Sequence, residues 1–258
     1  THLFLPQFGL RWTFLGAALA LFVCGLAVNR PGAGRGQLER ALSLACWLAA
    51  ACFGSLRMPD LAAGVSRLAT RESSYQSLAV LESSDGGGGL RRLVVNEGLD
   101  SFQSVWQSTT GLLPPGYYYN LFVLPAWWSQ APSTWRVLVL GLGAGTAVRV
   151  LAGASPPGLS LETTGVEIDP AVVALADEWF ELERGPGRAV HAGLDARAFL
   201  RQSSGTYEEI VLDAYANNME IPAHLSSVEF FREVRQHLVD GGWLAVNAAG
   251  FGVGDPVV

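Results

Sequence analysis

Apolar and polar positions change rhythm twice along this chain. Residues 12–29 are an unbroken stretch without a charge, bracketed by Arg11 and Arg30, and residues 41–56 are a second, between Arg40 and Arg57. At about 1.5 Å per helical residue these runs reach roughly 27 Å and 24 Å, against a bilayer hydrocarbon core of about 30 Å. Two transmembrane helices are therefore expected, the second completed by Arg40 and Arg57 snorkelling toward the headgroups. The Gly-rich link 31–36 would be the turn of the hairpin. Buried core helices are the competing reading of both runs.

From about residue 61 the segments shorten. Residues 77–81 and 90–96 read as strands separated by Ser83, Ser84, Asp85 and four glycines, a small β-hairpin with a loose tip. Beyond Tyr117 short apolar runs alternate with helical patterns. Strands are expected at 136–140, 163–168, 188–191, 209–212 and 243–248. The turn Gly141-Leu142-Gly143-Ala144-Gly145-Thr146 opens the first helix, and Asp169-Pro170 opens the second with an N-cap and a proline at the first position. A third helix covers 195–201. Ser226 and Glu229 predict a capping box for the last, which runs to Val239 and stops at Gly241-Gly242. Strand-helix alternation of this kind makes a doubly wound parallel α/β sheet. The domains expected are 1–57 (two hydrophobic helices, an anchor or the end of a larger transmembrane region), 61–115 (a small β region) and 116–258 (the nucleoside-binding sheet).

Composition narrows the function. Half of the 258 residues are hydrophobic, which excludes a disordered chain. All 17 basic residues are Arg, so lysine-dependent chemistry such as Schiff bases is excluded. A net charge of -6 argues against nucleic acid as a partner and mildly favours a cationic substrate. Cys24, Cys46 and Cys52 lie in apolar runs without metal-ligand spacing, the four histidines are scattered, and neither a metal site nor a disulfide framework is expected.

The candidate chemistry gathers where strands end. Gly141, Gly143 and Gly145 let the backbone turn sharply and bring a helix N-terminus up to a ligand. Glu167, at the end of the second strand, could accept hydrogen bonds from both ribose hydroxyls, and the glycine spacing fits a nucleoside such as S-adenosylmethionine at least as well as a dinucleotide. Asp195-Ala196 follows the third strand, and Asp195 is either an adenine contact or simply a helix N-cap. Asp213 follows the fourth strand. It could orient and deprotonate an amine attacking a sulfonium, or cap the next loop. The segment 214–223 would then be a lid with Tyr215 and Glu220 facing the substrate.

These residues, with others upstream, resemble the polyamine synthase (spermidine synthase, aminopropyltransferase) family from about Arg71 to Ala249. Glu72-Ser-Ser-Tyr75-Gln76 is similar to the family's E-x-T-x-Y-Q, and the stretch from Arg92 through Gln103-Ser104 to its L-x-L-D-G-x-x-Q-S. Asp213 and the segment 221–231 resemble the catalytic Asp, the gatekeeping loop and the helix after it. With hydrophobic helices in front, the chain most resembles bacterial membrane-fused spermidine synthase-like proteins. The resemblance implies a Rossmann-like, methyltransferase-type parallel sheet, two strands short of complete, so a fragment cut at both ends is expected. It implies decarboxylated S-adenosylmethionine as co-substrate, with no permanently bound cofactor, held by Gln76, Gly141, Gly143, Gly145, Glu167, Asp195 and Ala196. Asp213 would be catalytic, and Tyr75, Gln103, Tyr119 and Tyr215 would border the amine. Three departures stand out: the family's acid in the glycine turn is Ala144, its Tyr-His-Glu is Tyr118-Tyr119-Asn120, and its second acid after the catalytic Asp is Ala216.

The expected activity is therefore a membrane-attached aminopropyl transfer to a di- or polyamine. The alternatives are an S-adenosylmethionine-dependent methyltransferase and a non-catalytic nucleoside- or polyamine-sensing module of a transporter-like protein. The expected location is the cell membrane, multi-pass. Arginine counts set no orientation; use of a cytosolic co-substrate would require the catalytic part to face the cytoplasm. A homodimer is the assembly kept in view.

Overall fold

A computed structural model of the chain describes residues 15–21, 23–24, 43–44, 46–47, 61–84, 89–96, 103–129, 133–215 and 220–248. The chain divides into two compact units, residues 1–63 with 71–77, and residues 64–70 with 78–258. The two uncharged runs fall mostly outside the described residues. Inside them residues 15–21, 23–24, 43–44 and 46–47 are helical, and Leu19, Leu21, Val23 and Leu44 are exposed. The expected transmembrane spans are not found there, because no helix among the described residues is long and apolar enough to cross a membrane.

The expected hairpin is the middle of something larger. Strands β1 (Val65–Glu72), β2 (Ser77–Ser83), β3 (Leu90–Val95) and β4 (Ser104–Gln107) form a four-stranded sheet in that order. β2 and β3 pair antiparallel, as do β3 and β4. The outer strands escape a periodicity reading for a physical reason. β1 carries Arg67, Arg71 and Glu72 and is only half-buried, and β4 is four residues long with three of them buried.

After a 3-10 turn, Tyr118–Val123, and the short helix α1 (Leu124–Trp128), the larger sheet begins. Its elements are β5 (Thr134–Leu140), α2 (Thr146–Ala154), β6 (Ser160–Glu167), α3 (Pro170–Trp179), β7 (Arg188–Ala192), α4 (Ala196–Gln202), β8 (Tyr207–Leu212), α5 (Val228–Gln236) and β9 (Leu238–Val246). The strand order is β7-β6-β5-β8-β9, and every pairing is parallel. β5 is central, which accounts for its apolar run: Val137, Leu138, Val139 and Leu140 are fully buried because both faces are covered. One face packs Val137 and Val139 against Val150 and Leu151 of α2. The other packs Leu138 and Leu140 against Leu200 of α4 and Phe230 of α5. The small sheet sits on α3, with Leu78, Val80, Leu93 and Trp106 against Val172, Leu175 and Phe180.

Helix starts follow the local chemistry, with one exception. Asp169 caps α3 by accepting from the Ala171 N–H at 2.9 Å. The last helix is capped by Ser227, which accepts from the Phe230 N–H, and not by the expected Ser226. It also ends earlier, at Gln236. Pairing of β9 begins at Leu238 opposite Tyr207, and Gly241-Gly242 lie in an irregularity where the register jumps between Tyr207 and Glu209. The glycines bend a strand where the sequence suggested a helix stop.

Glu209 is an anomaly in this core. It is fully buried on β8; Oε2 accepts from Trp135 Nε1 at 3.0 Å, while Oε1 has no partner. Burial pushes its carboxyl up to about 7. The folded value lies above the unfolded one, so the stability this group contributes is complete below about pH 4.5 and lost as pH rises through 7. Glu209→Gln is expected to remove that slope and to raise stability at pH 8 by about 3 kcal/mol. Urea unfolding between pH 5 and 8 measures it, and an unaltered slope would refute the assignment.

Candidate functional site

Register places the candidate residues on one edge. Leu140 pairs with Val166 on one side and Leu212 on the other, and Leu212 pairs with Val246. The residues just past these positions, Gly141, Glu167, Asp213 and Asn247, therefore emerge together at the carboxyl ends of four strands, where open α/β sheets bind ligands.

The glycine turn is bound tightly to its surroundings. Gly141 has φ +90, and a Cβ there would lie 2.3 Å from the Asp213 carbonyl oxygen, so only glycine allows this backbone approach. Glu167 is 5% exposed and holds the turn through Oε2, which accepts from the Gly143 N–H at 2.9 Å, while Oε1 accepts from the Asp169 N–H at 3.0 Å. Burial raises its pKa, and these backbone donors oppose the rise. The Ala144 N–H donates to Ser104 Oγ at 2.8 Å, and Thr146 Oγ1 both accepts from the Val105 N–H and donates to the Val105 carbonyl. Gly145, with φ +87, precedes α2 as its N-cap.

Asp213 faces two neutral donors. Asn247 Nδ2 donates to Oδ1 at 2.8 Å and Tyr118 Oη to Oδ2 at 3.1 Å. Burial pushes the Asp213 carboxyl up to about 6, with the hydrogen bonds from Asn247 and Tyr118 pulling the other way. The Tyr118 hydroxyl is itself driven upward, first by burial and then by Tyr119 and Asp213, so it remains a proton donor to the carboxylate.

The other expected contacts are distributed as follows. Asp195 caps α4 with Oδ1, accepting from the N–H groups of Arg197 and Ala198, and its Oδ2 lies 2.9 Å from His224 Nε2. Burial opposes ionisation, yet the Ala198 N–H, His224 and the Arg197 N–H together hold its pKa below the ordinary value. Ala196 is the first residue of α4 and is buried. Tyr119 is 2% exposed, stacks on Tyr118 at 4.1 Å and donates to the Gln103 carbonyl, which places it in the core. The tyrosine on Asp213 is its neighbour, Tyr118. Gln103 presents a buried Oε1 that is without a partner. Tyr215 donates to the Asn247 carbonyl at 2.6 Å. Residues 216–219 of the expected lid lie outside the described residues, while Glu220 is exposed. Tyr75 and Gln76 belong to the other compact unit, in a turn where Ser73 Oγ accepts from both their N–H groups; Tyr75 is exposed.

Tyr118, Asn247 and Ser104 are the additions that the site reading missed. Asn247 was open to the strand-end rule that found Asp213, had β9 been ended at Val246. Among the described residues no group of His, Cys, Asp and Glu could hold a metal ion.

Sheet order, glycine turn and strand-end carboxylates together define a methyltransferase-like α/β fold. The chain is 37% identical over 177 residues, 68% of its length, to a probable polyamine aminopropyl transferase of Bifidobacterium longum, and covers 36% of that protein. It is 35% identical over 119 residues, 45% of its length, to the polyamine aminopropyltransferase of Vibrio vulnificus, and covers 38% of it. The chain thus spans little more than a third of either relative. A probable spermidine synthase from Corynebacterium glutamicum has the same fold, with a TM-score of 0.56 and 23% identity over 74% of this chain and 64% of that one. No family model matches. The matched region is similar to polyamine aminopropyltransferases.

Loss of either neutral donor should drive Asp213 further toward its protonated form. Tyr118→Phe and Asn247→Ala are each expected to raise its titration midpoint above about 6. Carboxyl-selective NMR titration reads this directly; a midpoint that falls in both variants would remove them from the Asp213 environment.

Proposed function

We propose that this chain moves an aminopropyl group from decarboxylated S-adenosylmethionine to an amine, with Asp213 as the general base. The observation that carries the reading is the Asp213 carboxylate, held by Tyr118 and Asn247 at the strand edge beside the glycine turn. A carboxyl pushed up to about 6 is mostly ionised at neutral pH yet basic enough to take a proton. The amine nitrogen attacks the carbon beside the sulfonium, the carbon–sulfur bond breaks, and its electron pair stays on sulfur to release methylthioadenosine. The proton shed by nitrogen passes to Asp213. Glu167 and Asp195 are the residues proposed for the ribose and adenine contacts, with Ala196 beside Asp195, and Gln103 and Tyr215 are those proposed around the amine, with Tyr118 and not the core residue Tyr119 on Asp213. The names of the Bifidobacterium and Vibrio relatives support this activity. The acceptor is a polyamine or another amine. Ala216 stands where the family resemblance puts a second acid for a dication.

A second reading, nucleoside binding without turnover, draws on Ala144 standing where the family resemblance puts an acid. The two separate on one measurement, release of methylthioadenosine when decarboxylated S-adenosylmethionine is offered with putrescine and a panel of amines. No release with any amine would defeat the transferase reading. Asp213→Asn is expected to lower transfer about a hundredfold or more while leaving methylthioadenosine affinity unchanged. Glu167→Ala should weaken nucleoside binding by about 1–3 kcal/mol. Equal loss of binding in both variants would contradict this division of roles.

We also propose that residues 12–29 and 41–56 attach the chain to a membrane with the larger sheet facing the cytoplasm. The support is two long uncharged runs closed by arginines, with exposed apolar side chains on their described helical parts. The chain should stay with the membrane fraction after an alkaline carbonate wash. Recovery in the supernatant would overturn the attachment.

A further inference from the structure

A glycine turn ahead of a helix ordinarily receives anions, because its backbone N–H groups point at the ligand. Here those groups are already taken. The Gly141 and Leu142 N–H groups both donate to the Val166 carbonyl at 3.0 Å, and the Gly145 N–H donates to the Leu142 carbonyl at 3.0 Å. The remaining two donate to side chains, Gly143 to Glu167 Oε2 and Ala144 to Ser104 Oγ. Both acceptors are buried, Ser104 at 1% and Glu167 at 5% exposure. Thr146 turns its hydroxyl to the β4 backbone and is also buried.

An anionic ligand group at this turn would meet two obstacles. It would have to break a buried hydrogen bond without offering the displaced oxygen a donor, and it would lie beside the Glu167 carboxyl, which already occupies the place of an anion at Gly143. We propose that Ser104, together with Glu167, closes the glycine turn to carboxylates and phosphates, making Ser104 a positioning residue that selects a decarboxylated over a carboxylated sulfonium nucleoside. Ser104 acts through the turn and does not itself touch the ligand. The inference rests on the transferase reading of the same site and adds the feature that excludes S-adenosylmethionine.

Calorimetry on the full chain tests it with S-adenosylmethionine, decarboxylated S-adenosylmethionine and methylthioadenosine, the last reporting an intact site because it carries neither charged tail. Wild type should bind the decarboxylated compound more tightly than the carboxylated one, and adenosine at least as tightly as adenosine monophosphate. Ser104→Ala frees the Ala144 N–H, and the affinity for S-adenosylmethionine relative to its decarboxylated form should rise about tenfold, the scale of one hydrogen bond to a carboxylate. Methylthioadenosine affinity should not move. An unchanged ratio with methylthioadenosine binding intact overturns the role of Ser104 while leaving the transferase reading in place. If Ser104→Ala fails to fold, the wild-type pairs decide, and preference for the anionic member of either pair overturns the proposal. Absence of methylthioadenosine binding to wild type overturns both.

Discussion

The arrangement depends on one close backbone approach. At the end of the central strand Gly141 comes so near the Asp213 carbonyl that no side chain fits between them. That contact couples two strand ends, because the glycine turn cannot shift without moving Asp213. Glu167 couples a third, reaching from the end of β6 to the Gly143 N–H. The edge is thus tied together by contacts between the ends of β5, β6 and β8.

Three carboxyls of the larger sheet, Glu167 and Glu209 buried and Asp213 half-buried, are handled in three ways, and the differences follow from their partners. Glu167 receives backbone N–H groups on both oxygens, which oppose the rise that burial causes, and Oε2 ties the carboxyl to the turn. Asp213 receives two neutral side-chain donors, enough to keep it ionisable near neutrality and too few to make it a weak base. Glu209 receives one indole N–H and has an oxygen left over, so its neutral form is favoured. The number and kind of donors differ at each.

The smaller sheet takes part in the site as well as packing against it. Ser104 and Val105 of β4 are hydrogen-bonded to the glycine turn and the start of α2, and Gln103 accepts from Tyr119, the ring that stacks under Tyr118. Through this chain of contacts the small sheet supports both the wall of the turn and the donor on Asp213.

Local chemistry determined a great deal on its own. Short apolar runs ended by turn residues marked all five parallel strands, Asp169-Pro170 marked a helix start, and glycines at 141, 143 and 145 marked positions that adopt left-handed backbone. Glu167 and Asp213 could be named because strand ends are where such sheets place chemistry. What the sequence could not decide were choices between neighbours with equal local credentials. Tyr118 and Tyr119 are identical side chains, and only the packing of the 3-10 turn sends one to Asp213 and the other into the core. Ser226 and Ser227 are both good caps, and the folded chain starts α5 at the second. Gly241-Gly242 would stop a helix or bend a strand equally well, and pairing of β9 with β8 settles it. Ser104 donates or accepts anywhere a hydroxyl can, and its place against the Ala144 N–H exists only because β4 folds over the turn. These outcomes depend on contacts between residues far apart in the chain, which tertiary packing alone creates.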